Sequence, residues 1–169
     1  MSRGDRQFVE FVEASSARLL RAAHLLIGDR HQAEDAVQSA LARTYASWSR
    51  VRNQDAYAYT RRVLTNLTID RWRRPIKEQV QESFPDRPGV RDFTHDHAQQ
   101  EWLMRALGQL TPRERTIIVL RHYLDLSEAE VAAELKVSLG TVKSTNSRAL
   151  AKLRITMSPA GATTGAETR

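Results

Sequence analysis

Apolar residues recur every three to four positions through most of this chain, the spacing of amphipathic helices. Phe8, Phe11, Val12, Leu19, Ala22, Ala23, Leu26 and Ile27 share one face of a first helix, which Gly28-Asp29 ends as a C-cap glycine would. In a second helix Ala33, Val37, Ala40, Leu41, Tyr45 and Trp48 form the inner stripe, while Gln32, Glu34, Asp35, Gln38, Ser39 and Arg43 lie off it. Ser49 to Asp55 is polar and aperiodic and predicts a loop. From Ala56 to about Arg74 a third helix turns Tyr59, Val63, Leu64 and Leu67 inward and ends in Arg71, Arg73 and Arg74. Pro75 stops it, having no amide hydrogen to donate. These three helices can close one core, so residues 1–75 read as a helical domain.

From Pro75 through residue 97 the period is lost and three of the five prolines gather. Residues 76–97 therefore read as a flexible linker. A second domain, 98–157, opens with Trp102, Leu103, Ala106, Leu107 and Leu110 on one face. Thr111-Pro112-Arg113-Glu114 then supplies an N-cap hydroxyl, a reciprocating glutamate and a proline at the first helical position. The helix it starts runs to about Tyr123 and carries Ile117, Ile118, Leu120 and Leu124. Ser158 to Arg169 has no apolar anchor and reads as a disordered tail.

Between Leu126 and Arg154 two short helices meet at a tight turn. Ser127 and Glu130 have capping-box spacing; Val131, Ala132 and Leu135 give the first helix its stripe, and Lys136-Val137-Ser138 interrupts it. Val142, Ala149, Leu150 and Leu153 resume the period on the second helix. This is the pattern of a helix-turn-helix. Its second helix leaves Lys143, Ser144, Ser147 and Arg148 off the stripe, the cations and short hydrogen-bonding groups that read bases in a major groove. An ordinary solvated helical hairpin has the same spacing. The fold class is all-α: two small helical domains joined by a flexible linker, the second containing the helix-turn-helix.

Charge adds a second indication. The net charge is +6, and it is unevenly placed: +5 over 1–75, −2 over 76–97, +3 over 98–157. Two basic blocks around an acidic connector suit a chain that touches a polyanion twice. The absence of cysteine excludes disulfides and thiolate metal sites and fits a reducing cytoplasm. His95 and His97 have no third ligand of suitable spacing, so no metal or other cofactor is expected. No apolar run reaches the length of a membrane span, and the polar start shows no signal peptide. No nucleophile with its base and no phosphate-cradling glycine loop appears, so no catalytic residue is assigned and an enzyme of nucleic-acid processing is disfavoured.

Four separated motifs then occur in a fixed order: GDRHQAEDAVQSALARTYASW (28–48), AYAYTRRVLTNLTIDRWRR (56–74), LGQLTPRERTIIVLRHYLDLSEAEVAAEL (107–135) and VSLGTVKSTNSRALAKLR (137–154). Together they resemble the extracytoplasmic-function sigma factors of bacterial RNA polymerase, most closely the sigma-E-like group. The resemblance covers residues 5 to 155. It implies an RNA polymerase sigma factor, acting in the cytoplasm, that binds core polymerase, recognises the minus-35 and minus-10 promoter elements and promotes melting. The domain labels it implies are sigma region 2 for 1–75 and sigma region 4 for 98–157. A stand-alone helix-turn-helix regulator of the LuxR type is the alternative, which the A-E-D-A-V-Q and N-L-x-x-D motifs oppose.

The resemblance also distributes roles among residues. It implies that the second-helix motif docks on the polymerase clamp, through Asp35, Gln38, Leu41 and Ala42. Asp35 and Gln38, one turn apart, suit a basic partner helix, although a solvated acidic face would look alike. Ser39 stands where the family usually has glutamate. It implies that the unwound minus-10 strand is held by Arg52, Asn53, Arg61, Arg62, Asn66, Asp70, Arg71, Arg73 and Arg74. There Asn66 and Asp70 belong to the R-x-L-x-N-L-x-x-D motif, and the arginines supply a salt-dependent phosphate term. Tyr59 and Trp48 read as core; Trp72 suits packing and base stacking equally. For duplex minus-35 DNA the implied contacts are Thr141, Lys143, Ser144, Ser147 and Arg148, with Arg121 and Ser127 as backbone anchors. Thr145 and Asn146 stand where many relatives have a basic and then an apolar residue, which predicts an altered base preference. An anti-sigma factor is a further partner that the resemblance implies.

Overall fold

Local capping sets where the helices begin and end. In α1 (Arg3–Ile27) Ser2 and Asp5 cap each other reciprocally, and Gly28 closes the helix at φ 89°, a left-handed conformation that costs glycine nothing. Asp29 caps α2 (Arg30–Ala46) by accepting from the Gln32 amide at 2.8 Å. A single turn, α3 (Trp48–Val51), follows. Asp55 caps α4 (Ala56–Arg73) through the Ala58 amide at 2.9 Å. The computed structural model describes residues 1–74 and 95–157. The expected tail and most of the expected linker lie outside the described residues, but the linker's last three positions, 95–97, already belong to a helix.

Two compact units hold these elements, α1 to α4 in the first. Its core is Leu19 and Ala23 of α1, Ala33, Ala36, Val37 and Ala40 of α2, and Leu64 of α4. The alanines let the three helices approach closely, and Leu20, Ile27, Leu41, Tyr57, Val63 and Leu67 ring the contact. Two expectations change here. Ser49–Asp55 is not wholly a loop: its start belongs to α3, because Trp48 and Val51, 8% and 1% exposed, are drawn into the core. On α4 the most buried face is rotated from the expected one. It carries Thr60, Leu64, Thr65, Thr68 and Ile69, whereas Tyr59, Val63 and Leu67 are only half-buried. The threonines tolerate this because each hydroxyl donates to the carbonyl four residues back: Thr60 to Ala56, Thr65 to Arg61, Thr68 to Leu64. Thr44 and Thr60 also share a hydrogen bond between helices at 2.9 Å.

The second unit comprises α5 (His95–Gly108), α6 (Pro112–Ile118), α7 (Glu128–Leu135) and α8 (Leu139–Met157). Thr111 and Glu114 form the reciprocal cap of α6, with Pro112 inside it. The helix expected to run on to Tyr123 changes pitch at Val119, where a π-helical turn spans Val119–Tyr123. Its wider turn lets Val119 and Leu120 both bury beside Ile117 and Ile118. Glu114 is itself buried, and both its oxygens accept from Lys152 Nζ of α8 at 2.9 Å. Burial pushes that carboxyl up, but Lys152 and Thr111 outweigh burial and hold it below its ordinary range. One charged side chain thus caps α6 and ties it to α8. Among the described residues no helix is long and apolar enough to cross a membrane.

Candidate functional site

Three polar faces collect the residues singled out from sequence, two in the first unit and one in the second. On α2, Ala33, Ala36, Val37 and Ala40 face the core, which turns Asp35, Gln38, Ser39 and Ala42 to the exposed side. Leu41 is half-buried against the core cluster. The outer strip therefore offers one carboxylate, one amide and a methyl within two turns, a surface suited to a basic and polar partner helix.

On α4 the burial of Thr60, Leu64 and Thr68 leaves Arg62, Asn66, Asp70 and Arg73 exposed at intervals of four, four and three residues, a single helical stripe. Arg74 follows, also exposed. A line with a cation at each end and an amide and a carboxylate between them can follow a single strand, the cations on phosphates and the amide and carboxylate on base edges. Arg61 and Arg71 lie beside this stripe and are half-buried. Arg71 donates to Gln32 of α2, so part of its guanidinium braces the helix pair. Trp72 is half-buried and its indole nitrogen is enclosed without a hydrogen-bond partner, which favours packing over stacking on a base. Arg52 and Asn53 are exposed just after α3, and Arg52 donates to Gln7 of α1 at 3.3 Å.

In the second unit Ser127 and Glu130 cap α7 as the spacing predicts. Lys136 turns the chain in the left-handed region at φ 55°, and three residues separate α7 from α8. Val142, Thr145 and Ala149 form the buried face of α8, which leaves Lys143, Ser144, Ser147 and Arg148 exposed together. Thr141 is half-buried, its hydroxyl 2.8 Å from that of Ser138. Lys143 lies 3.9 Å from Glu128, an exposed pair that a phosphate can readily replace. The face is a compact donor-rich strip of the size that enters a major groove.

Three residues of this unit behave differently from expectation. Thr145, 2% exposed, lies in the core, and its hydroxyl accepts from Arg148 at 3.4 Å. Asn146 Oδ1 is 2.9 Å from His122 Nε2 of the π-turn. The two positions expected to alter base preference are therefore a core residue and a bridge to the π-turn. Arg121 donates to the carbonyl of Leu126, directly before the Ser127 cap. It is half-buried and steadies the entry to the helix-turn-helix. Sequence reasoning missed the Gln7, Gln32 and His122 partnerships, since each joins residues 24 or more apart with no local signature.

Residues 11–75 match the family described as Sigma-70 region 2, and residues 100–153 match Sigma-70, region 4. The RNA polymerase sigma-E factor of Streptomyces coelicolor is 43% identical over 150 residues, covering 88% of this chain and 84% of that protein. The ECF RNA polymerase sigma factor SigL of Mycobacterium tuberculosis is 31% identical over 155 residues, covering 88% and 87%. Among solved structures, the sigma factor RpoE of Bartonella quintana, in complex with the anti-sigma factor NepR, aligns with a TM-score of 0.66 at 25% identity, over 89% of this chain and 96% of that one.

Proposed function

Since this chain belongs to the sigma-70 family, as a sigma-E-like extracytoplasmic-function sigma factor of RNA polymerase, we propose that its exposed faces divide three tasks. Asp35, Gln38, Leu41 and Ala42 of α2 dock on core polymerase. The stripe Arg62, Asn66, Asp70 and Arg73, with Arg52, Asn53, Arg61, Arg71 and Arg74 around it, holds the separated minus-10 strand. Thr141, Lys143, Ser144, Ser147 and Arg148 read duplex minus-35 DNA, with Arg121 and Ser127 setting the pose of the reader. We place the functional boundaries at 1–75 and 98–157.

The observation that carries this reading is that each family-matched unit exposes a coherent polar stripe that includes cations, on α4 in the first and α8 in the second, beside the acidic face of α2. Melting is then a population shift: binding the open strand in preference to duplex stabilises the open state. The chain is an initiation factor rather than a catalyst, and nucleotide addition belongs to the polymerase. Its place of work is the polymerase's own, the cytoplasm. A neighbour in fold is seen with an anti-sigma factor, and an anti-sigma partner covering these faces is the matching expectation here. The LuxR-type reading is not favoured, because a stand-alone regulator has no use for a region 2 unit.

Run-off transcription with purified core polymerase on a library of genomic promoter fragments tests the assignment. Start sites that depend on this protein and share two upstream elements are expected. Tight duplex binding without any dependent transcript would return the regulator.

A further inference from the structure

Residues 2–10 precede the region 2 match, which begins at residue 11, yet they hold the stretch from which Arg52 and Asn53 project. Tyr45 donates from its hydroxyl to Asp5 at 2.8 Å, and Arg52 donates to Gln7 at 3.3 Å. The Phe8 ring sits 4.8 Å from Tyr45 and 5.1 Å, edge-on, from Trp48, and Phe11 is 5.4 Å from Trp48. Such ring pairs add to simple burial. Between the two segments opens a cavity of about 530 Å³ lined by Ser2, Gly4, Asp5, Tyr45, Trp48 and Arg52, among others. The turn after α3 is therefore seated on α1 by a few discrete bonds and rings rather than by continuous packing. The Ser2 amide and then the Tyr45 hydroxyl hold the Asp5 carboxyl below its ordinary range, so it remains an ionised acceptor.

We infer that the first two turns of α1 are a positioning element for strand capture: Asp5, Gln7 and Phe8, through Tyr45, Trp48 and Arg52, fix the turn at 52–55 in the shape that receives the separated minus-10 strand. The inference rests on the assignment of that turn to strand capture made above. It names Asp5, Gln7 and Tyr45 as positioning residues that act through Arg52 and its neighbours. Polymerase docking and minus-35 reading do not depend on them.

Two mild substitutions test it in the full chain. Tyr45→Phe keeps the ring on Phe8 and removes only the hydroxyl; Gln7→Ala removes the acceptor of Arg52. Wild type and the double variant are each assembled with core polymerase and offered a promoter from the run-off screen, as duplex and as a premelted bubble. The double variant is expected to hold the premelted strand about 5-fold more weakly, less than the direct loss of one hydrogen bond to a charged group because these residues act only through the turn. Its affinity for core polymerase and its urea midpoint should match wild type, and amide hydrogen exchange at residues 50–54 should quicken. Unchanged capture overturns the inference whatever the exchange shows. So does a loss of capture that accompanies a lowered urea midpoint, and so does tighter capture, which would mean that Gln7 withholds Arg52 from DNA. A wild-type chain that supports no transcription sinks the reading of the turn itself, whereas wild-type capture equalled by the variant sinks only this inference.

Discussion

The two helices proposed to face DNA, α4 and α8, back their polar stripes in different ways. Behind its exposed stripe, α4 is backed by a core rich in threonine, and the arginine at 71 beside that stripe is tied to α2. Behind its stripe, α8 has a buried side of Val142, Thr145 and Ala149, and its structural charge is carried by Lys152, bonded to Glu114 away from the reading face. In the first unit Arg71, a candidate contact, therefore also braces the fold; in the second the Glu114–Lys152 tie lies off the reading face, while Ser127 caps α7 and Arg121 bonds the Leu126 carbonyl, so those two candidates are structural as well. Substitutions should separate the residues accordingly: Glu114 and Lys152 change stability, and the exposed face of α8 changes DNA binding, independently, whereas Arg71, Arg121 and Ser127 couple the two.

Glu114 gives the largest expected effect. Glu114→Ala removes the glutamate half of the α6 capping box and the partner of Lys152, and should lower the unfolding free energy of the second unit by about 2 to 3 kcal/mol, less than a fully buried pair because Lys152 is half exposed. Glu114→Gln, which keeps the cap but not the charge, should lose less. Urea unfolding at neutral pH measures both. The carboxyl titrates lower in the folded than in the unfolded chain, so its contribution is complete above an unfolded value of about 4.3 and is lost as pH falls through the folded value. Wild type should converge on Glu114→Gln in acid; a constant gap from pH 7 to 3 would remove the ion pair from the account.

On the reading face, Arg148→Ala should weaken duplex minus-35 binding by about 1 to 3 kcal/mol and relax preference at one base pair, while leaving the urea midpoint nearly unchanged. Lys143→Ala should weaken all sequences alike and lower the salt slope by about 1. Loss of selectivity with Lys143 rather than Arg148 would reverse their roles. In the first unit, Asn66→Ala should destabilise the melted complex by about 1 to 2 kcal/mol, the range of a lost base contact, and spare the closed one. Equal loss in both complexes would contradict its place on the strand.

How far the sequence disclosed these features depended on distance along the chain. The caps at Gly28, Thr111–Glu114 and Ser127–Glu130 were legible because each is made by residues within four positions of one another. The outward sets on α4 and α8 were legible as polar positions. Three other features were not. Thr60, Thr65 and Thr68 look polar yet lie inside, since back-bonding hides the hydroxyl from a hydropathy pattern, and Thr145 lies inside with its hydroxyl accepting from Arg148. The α3 turn has too few residues to show a period; its Trp48 packs on Phe8 and Phe11 about forty positions earlier, and its Val51 is buried. Tyr45 sits on the apolar stripe but is 49% exposed, drawn to Asp5, forty residues earlier.

The buried threonines supply the finest test of the contrast between the units. Thr44 and Thr60 share one hydrogen bond across α2 and α4, and each hydroxyl also lies 2.8 Å from a carbonyl of its own helix, Ala40 and Ala56 respectively. A hydroxyl has one proton, so only one of the pair can donate across the helices at a time while the other donates backward. Removing one member, as in Thr60→Val, leaves the Thr44 hydroxyl bonded to Ala40 and should cost only about 1 kcal/mol. Removing both replaces the polar pair by two methyls of the same shape and should recover most of that loss. A double-mutant cycle by urea unfolding measures the coupling. A cost in the double variant equal to the sum of the singles would mean that the interhelical bond contributes nothing, and that the threonines are held inside by their own helices alone.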